Sequence, residues 1–362
     1  MPDFFGCLME KFDSITHFLE SGEFEYRVFD MGRKVTPISS DDFDEIENQE
    51  VLYPYPLQQK AWLALLFWSN DNSSKEKQEP VIWFLQFPID EMGYLKQDAR
   101  DGFLIGLLEQ AGKNIQSKLS GGLVSDELNE SPYAFKPLED RLALFHAFAT
   151  RALGQSPSRY YDATREYLSG SLGFGQWQFL GLQGIADVVV RLDQDDNEKI
   201  LAKAISSMPD TPLEVFCRAL ENMTLGESLS EALEQKIMSL IKSEAIIEPL
   251  FLSMLMRASS GMGSKNQRER VLLAVLKSNA GKDVEILVAI SGRAWNDLFS
   301  EKILSLFLLN LSNQDQKAFD AILKDLMMLP KLRSRIVRKL DNLHDLPKLA
   351  HRANEFLKQF KI

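Results

Sequence analysis

Five cations, Lys331, Arg333, Arg335, Arg338 and Lys339, crowd the segment after Pro330, and Lys348, Arg352, Lys358 and Lys361 extend the bias toward the C-terminus. On a helix, Leu332, Ile336, Leu340 and Leu343 form the buried stripe, while Lys331, Arg335, Arg338 and Lys339 lie toward the opposite side. Such a patch suits an acidic protein partner, RNA or a membrane surface. The plainer reading is a solvated helix whose cations complement an acidic body. Only Phe356 and Phe360 lie nearby, so base stacking on single strands is a poor fit. A second candidate surface is aromatic. Tyr53, Tyr55, Trp62, Trp68, Trp83 and Phe87 could floor a ligand pocket, although such residues more often fill a sheet core. Tyr53 and Tyr55, set beside Pro54 and Pro56, are expected to be partly exposed, because proline disfavours regular ladder pairing.

Sharper chemistry finds little support. His17, His146, His344 and His351 form no H-x-x-x-H pair and no Cys-x-x-Cys occurs, so neighbouring ligands for zinc are lacking. Asp193, Asp195 and Asn197 copy the first ligand positions of a calcium loop. Glu198 then stands where the turn wants glycine and Ala204 where a bidentate glutamate belongs, so a polar turn before the next helix is the better account. Gly170 to Gly175 is glycine-rich but lacks the Gly-Lys-Ser/Thr ending of a phosphate cradle, and Gly281-Lys282 is followed by Asp283. Ser239 and Lys242 match an S-x-x-K spelling inside a helical pattern, without the partner boxes. Carboxylate pairs such as Asp90/Glu91 and Glu139/Asp140 are the remaining acid–base candidates. No metal, cofactor or catalytic residue is assigned.

The elements that must position these side chains fall into two groups. Asp3 to Ser21 carries Phe4, Leu8, Phe12, Ile15, Phe18 and Leu19 at helical spacing and ends at Gly22, a candidate left-handed cap. Glu25 to Arg33 and Lys34 to Ile38 read as a hairpin, and Ser40 to Asn48 as a short helix with Asp41 and Asp42 in its first turn. Ala61–Trp68 and Val81–Phe87 are uninterrupted apolar runs on either side of a polar loop, Ser69–Glu79. Their length and aromatic content predict strands covered on both faces. Lys96 to Leu119 supplies a further helix, through Phe103, Leu104, Leu107, Leu108 and Ile115. This gives an α+β domain over residues 1–125, a small antiparallel sheet with helices, and a boundary in the Gly- and Ser-rich stretch that starts at Ser120.

From Pro137 onward only helical periodicity remains, in segments such as Leu138–Leu153, Trp177–Leu192, Leu213–Met223, Ile246–Ala258 and Leu332–Leu343. Thr211/Glu214 and Ser228/Glu231 are spelled as capping boxes, and Pro157 and Pro212 suit first-turn positions. Recurrence of a helix pair roughly every 30–40 residues predicts an all-α HEAT- or armadillo-like array over 126–362. A compact irregular bundle is the alternative.

Composition agrees with a packed protein: 362 residues, 45% hydrophobic and 26% charged, with a net charge of −11. That charge argues against coating nucleic acid with the whole surface, though a local basic patch remains. Two distant cysteines, Cys7 and Cys217, imply buried reduced thiols and a reducing compartment. The N-terminus lacks the features of an export signal, and no apolar run is long enough to span a bilayer, so a cytoplasmic protein without integral membrane association is expected.

Three stretches, Tyr26–Arg33, Tyr53–Gln58 and Trp83–Glu91, together with the helical C-terminal part, resemble an uncharacterised bacterial family of domains of unknown function, the 3549 series. The resemblance covers nearly the whole chain. It implies the two-part plan and brings no activity, cofactor or site residue. The expectation for function is a non-enzymatic protein–protein interaction scaffold with an unknown protein partner. The alternatives are an RNA- or nucleic-acid-associated protein using the C-terminal basic helix, and an enzyme with a pocket in the N-terminal domain.

Overall fold

Both uninterrupted apolar runs are strands in the structure, a computed structural model whose described residues are 12–69, 80–114, 131–171, 173–243, 247–341 and 346–359. The chain divides into two units, Met1–Pro137 with Met328–Pro330, and Leu138–Met327 with Lys331–Ile362. The first holds α1 (Ile15–Ser21), β1 (Phe24–Asp30), β2 (Thr36–Ile38), α2 (Ser40–Glu47), β3 (Lys60–Ser69), β4 (Val81–Pro88) and α3 (Gln97–Asn114). The strands form one antiparallel sheet in the order β2-β1-β3-β4. The expected hairpin is present, and so is the α+β character of this part. The calls on Ser69–Glu79 and on the stretch from Ser120 fall, from residue 70 to 79 and from 115 to 130, outside the described residues, as does Cys7.

Register explains the core. Val28 of β1 pairs with Leu65 of β3, which pairs with Trp83 of β4, so these side chains share one face. That face buries Tyr26, Leu63, Phe67, Leu85 and Phe87 beneath Leu19 of α1, Phe43 and Ile46 of α2, and Phe103 and Leu107 of α3. β3 is buried on both faces, as its pattern predicts. β4 is not: Ile82, Phe84 and Gln86 alternate as partly exposed residues. β4 lies at the end of the strand order, and beyond it comes only a short segment. There the Gln86 N–H donates to the Tyr133 carbonyl at 2.7 Å and the Phe135 N–H to the Phe84 carbonyl at 3.1 Å. A near-continuous apolar run therefore cannot by itself distinguish a central strand from a shielded edge.

The first helix departs from expectation. Phe12 to Ser14 are not helical, and α1 begins at Ile15 because its start is fixed from two sides. Ser14 accepts from the His17 N–H at 2.9 Å as the N-cap. The buried Glu47 carboxylate, at the end of α2, takes the Ile15 and Thr16 N–H groups at 2.9 Å each and the Thr16 hydroxyl at 2.7 Å. Residues 3–11 of the expected helix lie outside the described residues. Gly22 ends α1 with φ −86°, so no left-handed cap forms there.

The second unit is helical throughout its described residues: α4 (Glu139–Ala152), α5 (Tyr161–Ser169), α6 (Leu182–Val190), α7 (Asn197–Ala204), α8 (Asp210–Leu220), α9 (Glu227–Lys242), α10 (Pro249–Ser259), α11 (Lys265–Lys277), α12 (Val284–Arg293), α13 (Glu301–Leu311), α14 (Gln316–Met327), α15 (Leu332–Leu340) and α16 (Pro347–Lys358). Most of these helices pack chiefly on the second one along the chain, while α15 packs on its neighbour α14. One layer runs α4–α6–α8–α10–α12–α14–α16 and the other α5–α7–α9–α11–α13. α5 also packs on α6, and Gly184 is where they approach. A Cβ at Gly184 would lie 2.3 Å from the Thr164 hydroxyl and 2.7 Å from the Tyr160 carbonyl.

Several local expectations fail in this unit. The segment Trp177–Leu192 is not one helix: a 3₁₀ turn, Phe174–Phe179, gives way to extended residues at Leu180 and Gly181 before α6 starts. Neither capping box forms. α8 starts at Asp210, one residue before Thr211, with no side-chain cap. α9 starts at Glu227, and the Ser228 hydroxyl instead donates to Glu198 at 2.7 Å. At Ser228 a tertiary partner claimed the side chain that local spelling assigned to the cap.

Replacing Glu47 with Ala removes the acceptor for two N–H groups at a buried helix start. A loss of about 3 kcal/mol is expected, with Glu47→Gln losing less because one oxygen remains. Denaturant unfolding of the two variants checks this order.

Candidate functional site

The polar side chains that converge most tightly belong to the layer that contains α8, α10 and α12. Glu221 caps the C-terminal end of α8, where the helix dipole disfavours an anion. Arg257 and Arg293 stand in the last turns of α10 and α12, where cations are favoured. All three side chains reach one point. Arg257 grips both Glu221 oxygens: Nη2 donates to Oε1 at 2.8 Å, and Nε donates to Oε2. Arg293 Nε donates to the same Oε1 at 2.7 Å, and its Nη1 to the Gly292 carbonyl at 2.9 Å. Burial pushes the Glu221 carboxyl up, but Arg293 and Arg257 outweigh burial and hold it below the ordinary glutamate value. Arg293 is pushed down to about 10, first by burial and then by repulsion from Arg257 and Arg141 against the pull of Glu221. It stays charged at neutral pH.

The triad forms one wall of a cleft of about 410 Å³, within the usual range for ligand sites. Arg141 and Arg218 join Arg257 and Arg293 in lining it, against only two carboxylates, Asp140 and Glu221. Three leucines add apolar surface. Leu138 is 70% exposed and occupies the N-cap of α4, where it makes no capping bond. Leu250, the second residue of α10, and Leu182, the first of α6, are 44% and 37% exposed. Neither burial nor capping explains a leucine at the N-cap, since serine, threonine, asparagine or aspartate would stabilise the helix start by about 1 kcal/mol. Chemically, the cleft can bind an anion with an apolar neighbour. Among the described residues no group of three or more His, Cys, Asp or Glu side chains could hold a metal ion.

The basic segment singled out by sequence is α15. Its buried stripe is Leu332, Ile336 and Leu340, as expected; Leu343 lies outside the described residues. Lys331 precedes the helix in a left-handed conformation, φ 66°. Cations of this segment are engaged by the chain itself, Lys348 by Asn313 and Lys358 by Glu355 among them. Arg335 donates to the Phe299 carbonyl at 3.1 Å and lies over its ring, and Lys339 pairs with Glu301 at 2.5 Å. Lys331, Arg333 and Arg338 are exposed, as are Lys348 and Lys358 further along. The aromatic candidates separate. Trp83 and Phe87 are core residues. Tyr53 is fully buried, not partly exposed, because its hydroxyl donates to the buried Asp30 carboxylate at 2.6 Å. Burial and the Asp30 charge raise its pKa well above the usual phenol value. Tyr55 alone of the pair remains partly exposed.

The other motifs resolve into structural roles. Asp195 accepts from the Tyr161 hydroxyl at 2.8 Å, Asp193 pairs with Arg151 at 2.7 Å, and Asn197 donates to the Arg191 carbonyl at 2.8 Å, so the calcium-like spelling is a turn tied to neighbouring helices. The Ser239 hydroxyl donates to the Lys236 carbonyl. Asp90 accepts three backbone N–H groups within its own turn. Cys217 is a buried free thiol, and burial pushes its pKa far up. His344 lies outside the described residues.

Sequence reading missed the triad altogether, yet a trace of it was there. Arg257 lies 36 residues beyond Glu221 and Arg293 lies 72 beyond it. Charged residues recurring at that interval in helix-ending positions are the signal. No helix among the described residues is long and apolar enough to cross a membrane. A protein family described as a protein of unknown function (DUF3549) matches residues 10–356, and the chain belongs to it. Neither a curated protein nor a solved structure matches the chain.

Removing the Glu221 charge should cost more than removing the cluster. Glu221→Gln leaves two buried arginines opposed and is expected to cost about 3–5 kcal/mol, while adding Arg293→Met restores part of the loss. Because the Glu221 pKa is lowered on folding, its contribution is full above the ordinary glutamate value and fades as pH falls through the folded one. Urea unfolding of the three chains between neutral and acid pH should show that acid sensitivity reduced in both variants.

Proposed function

We propose that this member of the DUF3549 family is a non-enzymatic adaptor that presents one layer of its helical unit to a protein partner in the cytoplasm. The observation that supports the reading most is the row of exposed apolar residues on that layer. Leu138, Leu182, Leu250 and Val288 are contributed by or adjoin α4, α6, α10 and α12. A layer in which each helix packs on the next but one extends a surface along the chain, and such surfaces commonly bind proteins. The spacing of Glu221, Arg257 and Arg293 favours reading the layer as a repeated helix pair. The engagement of Arg335 and Lys339 within the chain weighs against α15 as a nucleic-acid surface.

Native purification of the full chain from its own cell at low salt should bring a protein partner in fixed ratio. Partner-free elution under these conditions counts against the adaptor reading. Retention of RNA that weakens steeply with salt and disappears on Arg335→Glu and Arg338→Glu would replace it.

A further inference from the structure

We infer that the cleft around Glu221 is a docking site for a partner segment carrying aspartate or glutamate beside a leucine- or phenylalanine-like side chain. The inference rests on the adaptor reading and names the partner's chemistry. Charge carries the argument. The chain as a whole bears −11, yet the cleft is lined by four arginines and two carboxylates. Arg218 also lies 3.9 Å from Glu214, which leaves a smaller positive surplus in the cleft of a molecule that is acidic overall. One carboxylate, Glu221, is shared by Arg257 and Arg293, so its single charge faces two largely buried guanidiniums. The Nε and Nη2 edge of Arg257 is taken by Glu221, so an incoming carboxylate would be met chiefly by the planar donors of Arg141 and Arg218.

Position supplies the apolar half. Leu138, Leu182 and Leu250 line the same cleft and are exposed. Met254, one turn along α10 from Leu250, continues their surface inward toward Arg257. An anion alone would use the arginines and leave the leucines wet. A lipid or plain apolar peptide would use the leucines and leave the arginines unmatched. A short acidic–apolar segment satisfies both, with its charged group toward the arginines and its hydrocarbon on the leucines.

The test uses the full chain with p-benzoylphenylalanine in place of Leu250, expressed in its native cell and irradiated. Val288 serves as a second probe position on the same layer and Lys277 on the other layer. The expected result is an adduct at Leu250 whose cross-linked peptide carries Asp or Glu next to an aliphatic or aromatic residue. Its yield should fall at least tenfold with Arg141→Glu and Arg218→Glu together. Arg141→Lys with Arg218→Lys should retain it, with melting curves confirming that each chain is folded. A synthetic peptide of the captured sequence should bind the purified chain, and its Asn/Gln counterpart should bind at least tenfold more weakly. A captured peptide without acids, a nucleic-acid adduct, or a yield indifferent to the charge reversal overturns the inference. Adducts at Val288 but none at Leu250 overturn the cleft while leaving the adaptor reading standing. Adducts at none of the three positions remove both.

Discussion

A carboxylate held at the wrong end of a helix organises the second unit. Glu221 stands where the dipole of α8 repels it, and burial adds to the penalty. It is tolerable only because α10 and α12 each end in an arginine that reaches it. The registers of three helices are thereby linked: sliding one past another by a single turn would separate a guanidinium from the Glu221 carboxylate and leave a buried charge poorly matched. Hydrophobic packing alone tolerates small slides, because Leu213, Phe216 and Leu220 of α8 or Leu252 and Leu255 of α10 lose little by exchanging one apolar neighbour for another. The charged cluster adds discrimination rather than net stability.

The first unit relies on a different device with the same logic. Asp30, at the end of β1, accepts from the Gly32 and Lys34 N–H groups and from the Tyr53 hydroxyl, tying a turn and a distant loop to the sheet. Glu47 joins α2 to the start of α1. In both cases a buried carboxylate substitutes for regular secondary structure as the acceptor of backbone N–H groups. This explains why an acidic chain places some of its acids fully inside.

How much of this was legible depended on the range of the interaction. Strands β3 and β4 and the long run of helices follow from periodicity within a dozen residues, so they could be read directly. The capping-box spelling at Ser228 failed because Glu198, thirty residues away in sequence, took the Ser228 hydroxyl, and the one at Thr211 because the helix already starts at Asp210. Tyr53 looked like a surface residue beside prolines, but its partner Asp30 lies 23 positions earlier, beyond any local pattern. The basic residues around Arg335 were conspicuous because they are contiguous. The arginines that do converge are dispersed through four helices and have no local excess of charge. Contiguity made the less organised cluster visible and hid the organised one.

The sheet has one further consequence. One border is β2, three residues long and interrupted by Pro37, which has no N–H to give. The other, β4, already exchanges main-chain bonds with Tyr133 and Phe135. Among the described residues both borders are thus partly covered, at Val28–Asp30 and at Phe84–Gln86, which shortens the ladder that an added strand from another molecule could use. Association through this unit is thereby steered toward side chains and away from sheet extension.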